Sequence, residues 1–435
     1  MTTQKPILNS QSPSVGRDRG PYSAQYAVND GYRGWILLLI ILVALGGAAL
    51  VFAQNTAAQT KAKAKTQYNV STLASLGGTS SGGNSINDQS WAAGYSRLPD
   101  RNRHATLWRN GSLTDLGTLG GPNSSVTWNV KNTAGIIVGI SQTATTPEPN
   151  AENWSSAAFY STPNNVGYIN LGFVWKQGQM RGLPNFTGGN NGFATGANNL
   201  GQAVGWAENG VHDPTCCCTQ VLQFLPAVWD TGSGDQIHDL PLLPGDTSGA
   251  ATAINDNSQI VGISGICDQA VGRRTAKHAV LWENGTVTDI YPNAPAPWWN
   301  TPTAINQRGD VVGFAGDPAF VEGDVLHAFM WTREDGIREL KPLPNRTPKH
   351  VDSEAYGINE ARQVVGVSCD ADQVDCRAVI WDHGNTPTDL NDLKGTYSGF
   401  LALAKDINNK GEITGRAIDP NTGVLTAYLA VPVSQ

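Results

Sequence analysis

Short runs of alternating hydrophobic and polar residues recur along the chain, separated by turns rich in Asn and Gly. The segment 278–315 shows the unit clearly: an apolar strand ending in Trp, a tight turn, an alternating strand, a loop and a second hairpin. The predicted strands are 279–282, 286–290, 303–305 and 310–315. Period-2 alternation bounded by Asn-Gly turns is typical of half-buried strands in hairpins, so each unit predicts two hairpins.

The second hairpin recurs seven times, and each copy carries an Asn seven residues before a Gly. The glycines are Gly94, Gly139, Gly205, Gly262, Gly313, Gly366 and Gly415. The asparagines are Asn87, Asn132, Asn198, Asn255, Asn306, Asn359 and Asn408. An Asn that bonds its own backbone, followed by a Gly at positive φ, suits a type I turn with a G1 bulge. We interpret these asparagines as turn formers rather than ligand contacts.

The first hairpin is marked by a Trp in six copies, each followed by a Gly within five residues. The tryptophans are Trp108, Trp175, Trp229, Trp282, Trp331 and Trp381. A recurring indole is more often a packed core group than a substrate platform, so these residues are predicted to be structural.

The two ends of the repeat region complement each other. The segment 68–78 lacks the Trp strand that precedes it in other copies, whereas 425–431 resembles a Trp strand with no partner after it. Pairing these orphan strands in one blade closes a ring and removes an exposed sheet edge. The pattern predicts an all-β, seven-bladed β-propeller over 67–435, with 68–76 outermost in the last blade and the Ala-Ile-Asn strand nearest the axis. An extra hairpin at 157–172 is the alternative to this blade count.

A different pattern precedes the repeats. Residues 1–33 are polar and predict a disordered cytoplasmic tail. The uncharged apolar run 34–53 is long enough to cross the ~30 Å hydrocarbon core as a helix, which predicts a single-pass signal-anchor that precedes the propeller. Residues 54–66 form a polar tether. The alternative is a signal peptide cleaved after Ala53, which gives a secreted protein.

Charge narrows the class of partner. The formal net charge is −7, and because residues 1–66 are net positive, the propeller is more acidic than the whole chain. An acidic ring disfavours nucleic acid as a partner. We expect contact with the membrane through 34–53 and binding of an unknown protein or glycan.

The six cysteines lie in predicted insertions between strands, and none is expected in a strand. They are Cys216, Cys217, Cys218, Cys267, Cys369 and Cys376. An even number of loop cysteines outside the cytoplasm most often forms disulfides. We predict Cys369–Cys376 and a bond from Cys267 to one of the three consecutive cysteines. The spacing lacks a CxxC motif or a nearby His pair, so no metal site is predicted.

No catalytic motif stands in its required context: the chain has no HExxH, GxGxxG or P-loop signature and no GxSxG elbow between a strand and a helix. His104, His278 and His327 each stand four residues before a Trp, which indicates repeat positions rather than acid/base groups. No cofactor is expected. The leading hypothesis is a binding or scaffold module, with a propeller hydrolase or lyase acting on saccharide at the channel mouth as its rival and a purely structural surface-layer role as a third.

Several of these segments resemble a known repeat. HAVLWENGTVTDI, HATLWRNGSLTDLGTLGG, TAINDNSQIVGIS and the HAFMW that begins at His327 resemble the HAF repeat of bacterial repeat proteins, over nearly all of 68–432. The resemblance implies an extracellular or surface repeat protein with a β-propeller-like fold. It implies no catalytic residues.

Overall fold

The computed structural model describes residues 65–144, 160, 168–216, 221–267, 276–317 and 325–433. Within these ranges the chain forms seven antiparallel sheets of four strands each, which confirms the all-β, seven-bladed β-propeller. No helix in the described ranges has the length and apolarity needed to cross a membrane. The predicted tail 1–33, anchor 34–53 and most of the tether lie outside the described residues, as does most of 157–172.

Six blades are continuous in sequence. Blade 1 consists of β2 (Ser81–Ile86), β3 (Ala92–Arg97), β4 (Arg103–Arg109) and β5 (Ser112–Asp115). Blade 2 consists of β6 (Gly120–Ser125), β7 (Ile137–Thr143), β8 (Asn170–Lys176) and β9 (Gln179–Gly182). Blade 3 consists of β10 (Gly192–Ala197), β11 (Gln202–His212), β12 (Leu222–Asp230) and β13 (Gln236–Asp239).

The next three blades follow the same order. Blade 4 consists of β14 (Ser248–Ile254), β15 (Ile260–Gly265), β16 (His278–Glu283) and β17 (Thr286–Asp289). Blade 5 consists of β18 (Trp299–Ile305), β19 (Val311–Asp317), β20 (Val325–Thr332) and β21 (Gly336–Leu340). Blade 6 consists of β22 (His350–Ile358), β23 (Gln363–Asp370), β24 (Cys376–Asp382) and β25 (Thr388–Asp389), followed by a 3₁₀ turn at Leu390–Asp392.

Blade 7 closes the ring with strands from both ends of the repeat region. It consists of β26 (Phe400–Ile407), β27 (Ile413–Ile418), β28 (Leu425–Pro432) and β1 (Tyr68–Thr72), in the spatial order β1-β28-β27-β26. The antiparallel register pairs Tyr68 with Pro432 and Thr72 with Tyr428. The predicted closure is confirmed, with β1 outermost and the Ala-Ile-Asn type of strand innermost.

The inner strands are longer than the sequence pattern predicts. The last one begins at Phe400 rather than 406, and the fifth begins at Trp299 rather than 303. The reason is burial on both faces: every residue of Ser248–Ile254, for example, is buried, so no alternation of polar and apolar positions marks the strand.

The Trp positions join neighbouring blades. Four indole N–H groups donate to a backbone carbonyl of the connection that leaves the preceding blade, at 2.7 to 3.0 Å. The donors and acceptors are Trp108 to Ala74, Trp229 to Pro184, Trp282 to Pro241 and Trp381 to Lys341. Trp175 is also buried, whereas Trp331 is half-buried. These contacts give the indoles a structural role between blades.

Candidate functional site

The repeat asparagines make two kinds of hydrogen bond. Within a blade the side-chain oxygen accepts backbone N–H groups, as Asn87 does from Gln89 and Trp91 at 3.0 Å. Between blades the side-chain amide donates to the carbonyl of the next repeat Asn at 2.9 to 3.3 Å, and Asn408 returns to Asn87. Asn132 donates instead to Ala197. The turn role was predicted; the closed belt was not, because a single unit does not show what its neighbour offers.

A second belt runs outside the first, through the residue that follows each Asn. Its backbone N–H donates to the side-chain oxygen of the equivalent residue in the next blade, at 2.7 to 2.9 Å. The chain of donors and acceptors is Thr133, Asn199, Asp256, Gln307, Glu360, Asn409 and Asp88. One face of the ring is therefore built from repeated structural contacts, and a ligand site is expected elsewhere.

The blades differ from one another in their inner strands, at the axis of the ring. Three residues before the repeat Asn, blades 3, 4 and 5 have Thr195, Thr252 and Thr303. The hydroxyls of Thr195 and Thr303 donate to inner-strand carbonyls of the next blade, at 2.9 and 2.8 Å. Blades 6, 7 and 1 have Tyr356, Lys405 and Asn84 at this position. The departures are adjacent around the ring, so they gather on one side of the axis.

Blade 2 departs in a different way. Six inner strands end at the residue directly before their repeat Asn, whereas β6 ends at Ser125, seven residues before Asn132. The intervening segment leaves the β-ladder, and the Asn129 amide donates to the Tyr356 carbonyl of blade 6 at 2.7 Å. Blades 2 and 6 are not neighbours, so this segment crosses the axis.

A buried ion pair fixes the crossing. Lys131 Nζ lies 2.9 Å from Oδ1 of Asp406 in blade 7 and donates to the carbonyls of Ile358 and Ile407 at 2.7 and 2.6 Å. Asp406 is fully buried and also accepts the Ile86 N–H at 2.9 Å. Burial raises the pKa of Asp406 above its usual value, while the Lys131 ammonium acts in the opposite direction. One ammonium thus connects blades 2, 6 and 7.

Beside this pair lies a group that we call the axial cluster: Glu354, Tyr356, Lys405 and Arg416. Lys405 Nζ stands 3.5 Å from the centroid of the Tyr356 ring, and the Tyr356 hydroxyl donates to Glu354 at 2.6 Å. Lys405 is half-buried, and among the described residues its ammonium has no hydrogen bond and no ion pair. Desolvation lowers the pKa of Lys405 to about 7, the charge of Arg416 acts in the same direction, and Glu354 opposes it.

Arg416 is also incompletely paired. Its Nε atom is buried without a hydrogen-bond partner in the described part of the chain, and its Nη2 atom donates to Oδ1 of Asn84 at 3.4 Å. The guanidinium lies 5.3 Å from the centroid of the Tyr95 ring. A Cβ on Gly82 would stand 2.8 Å from Nε, so this glycine makes room for the guanidinium. Two cations therefore share the axial cluster with one carboxylate.

Both predicted kinds of disulfide are present, on the face opposite the asparagine belts. Cys369 pairs with Cys376, and Cys267 pairs with Cys216; Cys217 and Cys218 lie outside the described residues. The expectation that no cysteine lies in a strand is wrong for Cys369 and Cys376, which face each other across β23 and β24. The hairpin continues to the edge of the DADQVD loop, and the disulfide connects its last paired residues.

Asp213 lies close to Cys216 and Cys267, with their possible ligand atoms within 4.8 Å of one another. Both sulfurs are already bonded to each other. Burial opposes ionisation of Asp213, but hydrogen bonds from Thr215, Thr247 and Ser248 outweigh it and lower its pKa. The group is a structural staple for the insertion rather than a metal centre.

The histidines that precede the Trp residues form cross-strand pairs. His104 and His278 lie 2.9 and 2.8 Å from Asp115 and Asp289, and His327 lies 3.5 Å from Glu339. In blade 6 Arg377 takes the same position and contacts Asp389 at 3.1 Å. In these blades either His or Arg occupies this position, and in each case the side chain contacts a carboxylate on the next strand. The position therefore has a role in joining the third and fourth strands of the blade.

Blade 6 contains a Ser-His-Asp arrangement with the side chains of a catalytic triad, but its serine and histidine are not accessible to a substrate. His350 lies 2.9 Å from Ser368 Oγ and 3.3 Å from Asp375. Ser368 and His350 are buried, and Ser368 Oγ accepts the Leu343 N–H. Ser141 and Ser264 accept the equivalent N–H groups of Leu119 and Leu243, so this serine is a repeat position that holds the connection between blades.

No protein-family model matches the chain, and no curated protein matches it. Among solved structures, a puromycin-hydrolyzing peptidase of Mycobacterium tuberculosis is 9% identical with a TM-score of 0.47, covering 85% of this chain and 55% of its own. This chain thus spans about half the length of that peptidase. The propeller domain of the Trilobed protease from Pyrococcus furiosus is 10% identical with a TM-score of 0.38, covering 69% and 80%. A gluconolactonase from Xanthomonas campestris is 9% identical with a TM-score of 0.32, covering 61% and 82%. Similarities this weak carry no information on activity or substrate.

Proposed function

We propose that this protein is a membrane-tethered, extracytoplasmic β-propeller that acts as a binding module, with its ligand site at the axial cluster. The observation that carries the proposal is that the position held by Thr in blades 3, 4 and 5 is held by Tyr356, Lys405 and Asn84 in three adjacent blades, and that the Lys405 ammonium has no hydrogen bond and no ion pair among the described residues. Departures from an otherwise consistent repeat often mark functional positions. A propeller presents such residues together on a rigid frame.

The competing proposal, a saccharide hydrolase or lyase at the channel mouth, requires carboxylates that are available for proton transfer or nucleophilic attack. The inner-strand carboxylates in the described ranges already have structural contacts. Asp406 pairs with Lys131, Asp352 accepts the Leu326 N–H at 3.0 Å, and Glu354 accepts the Tyr356 hydroxyl. These contacts favour binding over acid/base catalysis.

The location rests on three features. The apolar run 34–53 is long enough to anchor the chain, and the two disulfides are of a kind that forms in oxidising compartments. The resemblance to the HAF repeat points to the same side of the membrane. Carbonate extraction of membranes, followed by mass spectrometry of the N-terminus, tests the anchor. Retention of residues 1–53 in the membrane fraction is expected, whereas a mature N-terminus at Gln54 would show a secreted protein.

Binding is tested by a thermal-shift screen of the full-length protein against neutral sugars, acidic sugars, amino acids and organic acids. The matched variants are Tyr356→Thr and Lys405→Thr, which restore the residue that blades 3, 4 and 5 carry. We expect a probe that raises the melting temperature of the wild type but of neither variant. If every stabilising probe acts equally on all three proteins, the axis is not the ligand site.

A further inference from the structure

The charges of the axial cluster do not balance. Lys405 and Arg416 are close enough for the guanidinium to disfavour protonation of the lysine, and Glu354 is the one carboxylate that acts on Lys405 among the described residues. Like charges in a partly dehydrated site repel each other, and an anion between them removes that penalty. Two cations and one carboxylate leave the axial cluster with a net positive charge, which favours an anionic ligand.

The donor groups indicate which kind of anion fits. Arg416 offers a buried Nε–H that no described residue accepts, and a guanidinium presents its N–H groups as a planar fork that matches a carboxylate. The Lys405 ammonium supplies a second point of attachment, held 3.5 Å from the Tyr356 ring centroid.

We propose that the axial cluster binds a small organic monocarboxylate, whose carboxylate lies between Lys405 Nζ and the Arg416 guanidinium. This inference rests on the proposed function of the axis as the ligand site, and it adds the chemical class of the ligand. A bare carboxylic acid and an acidic sugar share this chemistry.

Binding of such a ligand is coupled to a proton. The pKa of Lys405 is about 7 in the unliganded site, so at pH 8 most molecules carry a neutral amine. An anion favours the ammonium, and the proton must then come from solvent. Among the described residues, the charged and titratable groups that act on Lys405 are Glu354 and Tyr356 on β22 and Arg416 on β27. Above pH 7 the affinity therefore falls by about tenfold per pH unit, and at pH 8 binding takes up about one proton.

The test is isothermal titration calorimetry of the full-length protein in detergent with acetate, D-glucuronate and D-glucose. Titrations at pH 8 in HEPES and in Tris, which differ in ionisation enthalpy, give the number of protons taken up. We expect binding of D-glucuronate with proton uptake and no binding of D-glucose. Binding of acetate as well indicates recognition of the carboxylate alone, whereas binding of D-glucuronate alone indicates an acidic sugar.

Three variants make the test specific. Lys405→Met should lower the affinity for D-glucuronate at least tenfold and abolish proton uptake. Lys405→Arg keeps its charge at every pH and should bind without proton uptake. The control is Lys410→Met, an exposed lysine of the asparagine belts whose Nζ contacts Ser90, and it should bind like the wild type.

Three results would overturn the proposal: wild-type affinity in Lys405→Met, equal binding of D-glucose and D-glucuronate, or no heat with either carboxylate at millimolar concentration. A neutral probe that stabilises the wild type but neither Thr variant in the thermal-shift screen would refute the carboxylate class and leave the axis as a ligand site. Failure of that screen as well would remove both proposals.

Discussion

The pair formed by Lys131 and Asp406 allows a quantitative test of how the axis is built. In Lys131→Met the side chain keeps its length and loses its charge, which leaves the fully buried Asp406 carboxylate without its counter-ion. Breaking a buried pair from one side costs about 3–5 kcal/mol. In Asp406→Asn the amide oxygen still accepts the Ile86 N–H, and Lys131 keeps two backbone carbonyls, so about 1–2 kcal/mol is expected.

The double variant removes both charges and should be more stable than Lys131→Met alone, with a coupling energy of about 2 kcal/mol. Urea denaturation followed by the fluorescence of the buried tryptophans measures all four proteins. Acidification adds a second check. Because burial raises the pKa of Asp406, protonation in the folded state becomes favourable as the pH falls, and the loss in Lys131→Met should shrink on acidification. Additive single effects with no pH dependence would refute the ion pair.

Three further predictions concern the ring, its staples and Lys405. Removal of 425–435 takes away the strand between β1 and β27 and should lower the melting temperature sharply. Removal of 1–53 should leave the melting temperature unchanged. Equal melting temperatures for the two truncated proteins would contradict ring closure. Replacing Cys216 and Cys267 by alanine should lower the free energy of unfolding by about 4 kcal/mol, and replacing Cys369 and Cys376 by about 2.5 kcal/mol. The sequence separations are 51 and 7, and the longer loop restricts the unfolded chain more. A larger loss for the second pair in denaturant unfolding would refute this reasoning. Because the folded-state pKa of Lys405 is lowered to about 7, the free energy of unfolding of the wild type should rise from pH 7 toward pH 10. Lys405→Met should be more stable than the wild type by on the order of 2 kcal/mol at pH 7 but not at pH 10. An equal difference at both pH values would contradict the lowered pKa.

The sequence predicts the ring because the repeat pattern recurs along the chain. Asn-Gly turns, the recurring Trp and the complementary ends at 68–76 and 425–431 each report a local feature that every blade shares. The structure confirms seven blades and the order β1-β28-β27-β26. Strand boundaries are less well predicted where both faces are buried, as in Phe400–Ile407, since burial on both sides erases the alternating pattern.

The axial site was not predicted, for a physical reason. Within their own segments nothing distinguishes Lys405, Tyr356 and Asp406 from ordinary residues. They stand out only when the equivalent positions of the other blades are compared. Alignment of the repeats on their Asn residues would have shown Thr replaced by Tyr356 and Lys405. The crossing of Lys131 to blades 6 and 7 has no such signal, because it depends on where the chain leaves β6.

The central claim is that Lys405, whose ammonium has no ion pair within the described ranges, binds an anion at the axis. It is tested most directly by NMR of the full-length protein labelled with carbon-13 at the lysine Cε. The Cε shift reports the ionisation of each lysine. We expect one resonance, missing in Lys405→Met, to titrate with a midpoint near 7, in line with the lowered pKa, and this midpoint to rise when D-glucuronate is added. A Lys405 resonance that titrates near the usual ~10.4 of lysine, or that D-glucuronate leaves unchanged, would contradict the account.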